Sequence, residues 1–163
     1  MTPAYDAAQW NDFAQTVAGG AAALAGLLFV GLSLNLAEVL KFPGVPARAG
    51  ATLGLTIAVL LTAVFLATPG QHAGALAAEL LALGFCSAGG AVLAGILQRR
   101  VRGARWAAYT TLTLFLPGAL LMAGAVSLWL QAGGGLYWIT AAVTAGFAAA
   151  TANAWVLLVE IKR

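Results

Sequence analysis

The chain has 163 residues, 62% of them hydrophobic, with eight Lys and Arg against five Asp and Glu and a net charge of +3. Soluble domains carry roughly 25% charged residues. At 8% the charge is too sparse to cover a water-soluble surface, and the chain is too apolar to stay disordered. What remains is an integral membrane protein, and its runs of about 20 apolar residues predict an all-α fold of membrane-spanning helices.

The first 17 residues contain no Lys or Arg, so they lack the positive region of a cleavable signal peptide. Residues 1–17 read as an outer-surface segment in which Asp6, Asn11 and Asp12 interleave with Tyr5, Trp10 and Phe13. Thr2-Pro3 suits a helix start. The segment is expected to lie at the surface as an anchor, or to run straight into the first span. Residues 18–163 read as one membrane domain. A crossing takes about 20 residues, and the uncharged run from Ala18 sets the first span at about 18–40. The stretch Ala49–Gln98 holds only His72 and Glu79 as titratable side chains other than the lone cysteine, and Thr68-Pro69-Gly70-Gln71 divides it into spans at about 51–69 and 73–98. Trp106–Val159 carries no charge, and Gly133-Gly134-Gly135 divides it into 106–131 and 135–159. Pro117 predicts a kink within the fourth span. The lone Cys86 lies in an apolar run and is expected to be a small buried side chain.

Five spans put Lys41, Arg48, Arg99, Arg100, Arg102, Arg105, Lys162 and Arg163 on one side. A four- or six-span count would scatter them. By the positive-inside rule the N-terminus is outside and the C-terminus cytoplasmic. The Arg99–Arg105 loop is accordingly a topology signal that faces anionic lipid, with no call for a nucleic-acid partner.

Small residues recur at helical spacing: Ala18, Ala22 and Gly26; Ser87, Ala91 and Gly95; Ala142, Gly146, Ala150 and Ala154. Such spacing lets backbones approach closely in lipid. It predicts a tight bundle, a last span surrounded by other helices, and a homo-oligomer.

Polar residues inside spans need a reason. Glu79 lies about 9 Å into the third span, with no Lys or Arg on that side. It fits a hydrogen-bonded structural carboxyl, a proton or cation pathway, or one member of a carboxylate ring. His72 shares its face. At the other end, Gly31, Asn35 and Glu38 form one stripe, and Gly146, Ala150, Asn153, Leu157 and Glu160 another. With Thr52, Thr56, Thr110, Thr111 and Thr113 they suggest either a cytoplasmic vestibule or interhelical glue, Thr hydroxyls returning to their own backbone. Glu38 and Glu160 are in reach of Lys41 and Lys162, and Arg105 completes the inner-interface charges. One His, one Cys and no metal-spaced cluster leave no catalytic, metal or cofactor site to assign.

Trp10-x-x-Phe13, the run Ala22–Asn35, Pro46-x-Arg48, Pro69-Gly-Gln71 and Ala78-Glu79-Leu80 together resemble a set of small multi-span actinobacterial membrane proteins often labelled "modulator of FtsH protease". The resemblance covers the first half of the chain. It implies a non-enzymatic bacterial plasma-membrane protein, and Ser33, Asn35, Gln71 and Glu79 are among the resembling positions. Two functions are expected. One is a homo-oligomeric ion or small-solute channel or transporter, with Glu79 on the pathway and Ser33, Asn35, Gln71, His72 and Asn153 in its polar interior. The other is an accessory subunit docking a larger membrane complex, such as a membrane protease or respiratory complex.

Overall fold

The computed structural model describes residues 3–161, with backbone alone at 100–102 and 158–161. Thr2, Lys162 and Arg163 lie outside the described residues, as do the side chains of Arg100, Arg102 and Glu160. Two 3-10 turns, Pro3–Tyr5 and Ala7–Trp10, lead into α1 (Asn11–Leu34). Then follow α2 (Leu36–Lys41), α3 (Val45–Ala67), α4 (Ala73–Arg102), α5 (Ala104–Leu130) and α6 (Tyr137–Ile161). There is no strand among the described residues. Five of the helices are long and apolar enough to cross a membrane, the architecture of a multi-pass membrane protein.

The first helix begins earlier than the hydropathy alone suggests. Asp6 accepts hydrogen bonds from Ala8 N at 3.2 Å and from Gln9 Nε2 at 3.0 Å, which organises the turn before α1. The N-terminal segment therefore runs into the helix. It also holds the opposite connection. Leu136 N donates to Ala4 O at 2.7 Å, Gly134 N donates to the Tyr5 hydroxyl, and the Trp10 ring meets Tyr137 edge-on at 5.1 Å. Gly135 has φ +52, and a Cβ there would press on Ala4 O and the Tyr5 ring, so this contact requires glycine.

The expected single span at 18–40 is interrupted. Asn35 leaves helical geometry (φ −113, ψ 20), donates its side-chain amide to Gly31 O at 2.8 Å, and offers its own carbonyl to Glu38 N and Val39 N. The polar side chain competes with the helix backbone and divides α1 from α2. The second span begins at Val45, where Ala51 is expected. Gly44 supplies the left-handed turn (φ 88), and Pro46 fits the first helical turn, where a missing N–H costs nothing. The helix α5 continues through buried Pro117 to Leu130.

Helices α3, α4, α5 and α6 form a closed antiparallel ring, each packed on the next and α6 packed back on α3. Helix α1 lies outside this ring, mainly against α3. The most buried helix is α3, half of whose apolar stretch is covered, against a third for α6. The expectation that the last span is surrounded is therefore corrected. Its alanines report close approach on one face, while Tyr137, Trp138 and Trp155 stay exposed on others.

Small residues make the ring tight. A Cβ on Gly118 would stand 3.0 Å from both Gly84 O and Ala88 N, so α4 and α5 touch backbone to backbone. The α4 stripe that meets α5 is Gly84, Ala88, Ala91 and Gly95, shifted toward α5 from the expected Ser87 register. On α6, Ala142, Gly146 and Ala150 are buried, with Gly146 against Val59 of α3. The α1 stripe behaves differently: Ala22 and Gly26 are exposed, and a Cβ on Gly26 would meet nothing.

Candidate functional site

Polar side chains gather at the two ends of the bundle, and between them lie apolar side chains that include Leu55, Val59, Leu80, Leu114 and Leu121. At the end beside the N-terminal segment, α3 stops at Ala67, and Pro69-Gly70 turns the chain with Gly70 at φ +70. His72 then precedes α4 in extended geometry. This leaves Gln71 beside the first turns of α4. Its amide Nε2 donates to Glu79 Oε2 at 2.5 Å, while its Oε1 is buried without a protein partner. Glu79 is half-buried and His72 is exposed. A crevice of about 780 Å³ opens here, lined by Asp6, Asn11, Gln71, His72 and Trp129 among others. The carboxyl that lacks a cationic neighbour is thus held by a carboxamide eight residues before it, which a search for opposite charges overlooks.

Glu79 also belongs to a stripe of α4. With Leu83, Cys86, Gly90, Leu93 and Leu97 it repeats at alternating spacings of four and three, one face of a helix. The last five of these residues line a groove of about 480 Å³ between α3 and α4, whose α3 wall includes Gly50 and Gly54. A Cβ on Gly50, Gly54 or Gly90 would meet nothing. Cys86 lies exposed on this face, correcting the expectation that it is buried. Its apolar neighbours in sequence reflect an apolar exterior.

At the opposite end the dominant residue is Arg48, read from sequence only as a loop charge that fixes topology. It lies in the first turn of α3 and is 3% exposed. Its Nε and Nη2 donate to Asn153 Oδ1 of α6 at 3.1 and 2.8 Å. Asn153 Nδ2 donates in turn to Ala149 O at 2.9 Å. This charge-assisted link joins two ring helices where an unpaired guanidinium would be costly. Thr52 and Thr56 continue the buried stripe, each hydroxyl returned to the carbonyl four residues back. Gln98 of α4 and Thr110 of α5 are also buried, with Gln98 Nε2 and Thr110 Oγ1 lacking a protein partner. All four ring helices therefore bring a buried polar group to this end. Asn153 is 2% exposed and its amide is engaged on both sides, so in a single chain it is glue rather than vestibule lining. A signal for Arg48 existed: Pro46 marks a helix start, and Arg48, Thr52, Thr56, Val59 and Thr62 then share one face.

The remaining candidates are dispersed. Ser33 is exposed on α1, and Asn35 serves the break between α1 and α2. Glu38 pairs with Lys41 at 2.6 Å on the surface. Arg105 is exposed in the first turn of α5. Glu160 lies on α6 with its side chain outside the described residues. Among the described residues, no three His, Cys, Asp or Glu side chains assemble as a metal site would need. Comparison with protein-family models, curated proteins and solved structures finds no match.

Proposed function

We propose that the chain is a non-enzymatic multi-pass protein of the bacterial plasma membrane, N-terminus outside, that assembles with copies of itself and carries an ion or small solute along a path that includes Glu79. The observation that carries this reading is the α4 stripe. Glu79 stands on the same face as the small-residue groove formed with α3. Open glycines are where a further helix packs best in lipid, since association there depends on close van der Waals contact. A second copy seated in that groove brings Glu79 to the subunit boundary, where repeated carboxylates select cations. The leucine-filled core between the two polar ends supports a path between subunits over one through the single bundle.

The test is native mass in nanodiscs followed by flux measurement. The expected result is a closed homo-oligomer in which Glu79→Gln lowers ion flux about tenfold without changing assembly, as loss of a pathway charge should. Unchanged flux in an intact oligomer rejects the pathway.

A second reading rests on α1. Leu27, Phe29 and Leu34 are 73%, 61% and 80% exposed, and Gly19, Gly26 and Gly31 have open space beside them. A helix so little covered by its own chain suits docking to a larger membrane protein. Co-purification of a stoichiometric partner from native membranes, lost on Gly26→Leu, supports this reading; a pure homo-oligomer excludes it.

A further inference from the structure

A separate groove of about 520 Å³ runs along the outside of the α4–α5 hairpin, away from the α3–α4 groove. Its α4 wall is Val92, Gly95, Ile96 and Arg99; its α5 wall runs from Ala104 to Phe115. The two helices are joined through the single residue Gly103 (φ 85), so the groove begins at the turn between them. Three properties combine here.

The first is depth. From Ala104 to Phe115 the helical rise is about 16 Å. Half of a hydrocarbon core is about 15 Å. The groove therefore runs through most of one leaflet, the α4 wall from Val92 to Arg99 covering about 10 Å of it.

The second is polarity along its length. Val92, Ile96, Leu112 and Phe115 are exposed apolar walls, 42%, 53%, 67% and 36% accessible. Ala107 and Gly95 form a low floor, because Gly95 admits the Thr111 side chain against its Cα. Only the end at the turn is cationic, where Arg99 is exposed and lines the groove. Among the described residues no carboxylate lines it.

The third is its level. Trp106 and Tyr109 are exposed near that end, edge-to-face with centroids 6.4 Å apart. Such rings favour the membrane–water interface.

We infer that this groove binds one anionic phospholipid, its phosphate at Arg99 and one acyl chain laid between α4 and α5 toward Phe115. The charge complementarity is local: an apolar slot that ends, among the described residues, in the lining cation Arg99 suits a ligand with one anionic head and a tail. A basic pocket between spanning helices on the cytoplasmic side is a physically favoured place for anionic headgroups. The inference rests on the chain spanning a membrane. It is independent of Glu79 and of any oligomer.

The experiment is native mass spectrometry of the full chain with added phosphatidylglycerol or phosphatidylcholine. Phosphatidylglycerol is expected to be retained at one molecule per chain, about fivefold more strongly than phosphatidylcholine. Arg99→Gln removes the lining cation, and Ala108→Leu fills the slot from an exposed position. Each is expected to lower retention about fivefold. Arg105→Gln removes the same charge from an exposed residue that does not line the groove, and is expected to change retention less than about twofold. Equal retention of the two lipids overturns headgroup recognition. Equal losses in Arg99→Gln and Arg105→Gln show a diffuse charge effect and overturn the site. No effect of Ala108→Leu overturns seating of the acyl chain. Thermal unfolding without added lipid, expected to match in all four proteins, guards against misfolding; if a variant unfolds early, Arg99→Met or Ala108→Val replaces it with the same predicted order.

Discussion

The two ends of the bundle solve one problem in opposite ways. Both must accommodate polar side chains at the ends of apolar helices. The end at Arg48 buries them: guanidinium, Asn153, Thr52, Thr56, Gln98 and Thr110 all lie inside the ring. The end at Gln71 buries Ser127 but leaves Gln71 and Glu79 half covered, with Glu79 held by a carboxamide that lines an open crevice. Burial makes a polar group costly to disturb, whereas exposure leaves it free to change state or partner. The buried end should therefore dominate stability, and the open end should be the place where an ion or solute meets the protein.

Substitutions at each end sharpen that contrast. Replacing Arg48 by Met removes the link between α3 and α6 and strands the Asn153 carbonyl; a loss of about 3 kcal/mol is expected in a detergent unfolding titration. A loss below about 0.5 kcal/mol would place the stability elsewhere. The next effect belongs to the open end's backbone. Gly135→Ala forces a Cβ into a left-handed residue and against Ala4 and Tyr5. About 2 kcal/mol is expected, together with faster proteolysis of residues 3–10 as the clasp loosens. Unchanged cleavage would show that the N-terminal segment is held by its aromatic contacts instead.

The smallest effect is expected at Gln71→Leu. It removes the donor to Glu79 at a half-exposed site and should cost about 0.6 kcal/mol, the usual scale of a side-chain hydrogen bond in a membrane bundle. Its functional consequence should be larger than its structural one. Ion flux should change with little loss of stability, opposite to the pattern at Arg48. Equal ratios of flux loss to stability loss at the two sites would dissolve the distinction between a structural and a working end.

The small residues teach a related lesson. Gly146 of α6 and Gly26 of α1 belong to similar sequence stripes, yet Gly146 packs against Val59 and Gly26 faces open space. Spacing states that a helix can be approached closely. It does not state by what.

Hydropathy and charge alone determined the five apolar segments, their all-helical state and the collection of described basic residues toward one end, because apolar run length and charge placement are local properties of the chain. Pro46, Asn35 and Asp6 carried boundary information that hydropathy hid, through proline's missing donor and through side chains that compete with or cap the backbone. The sites themselves depended on tertiary structure. Arg48 meets Asn153 across 105 positions, and Glu79 meets Gln71 because the chain leaves the Gly70 turn extended and lays Gln71 beside the first turns of α4. In both cases the decisive quantity is which face of a helix its neighbours cover. Composition is the same on a helix packed at the centre and on one left at the edge, so only packing distinguishes a topology charge from a buried structural link.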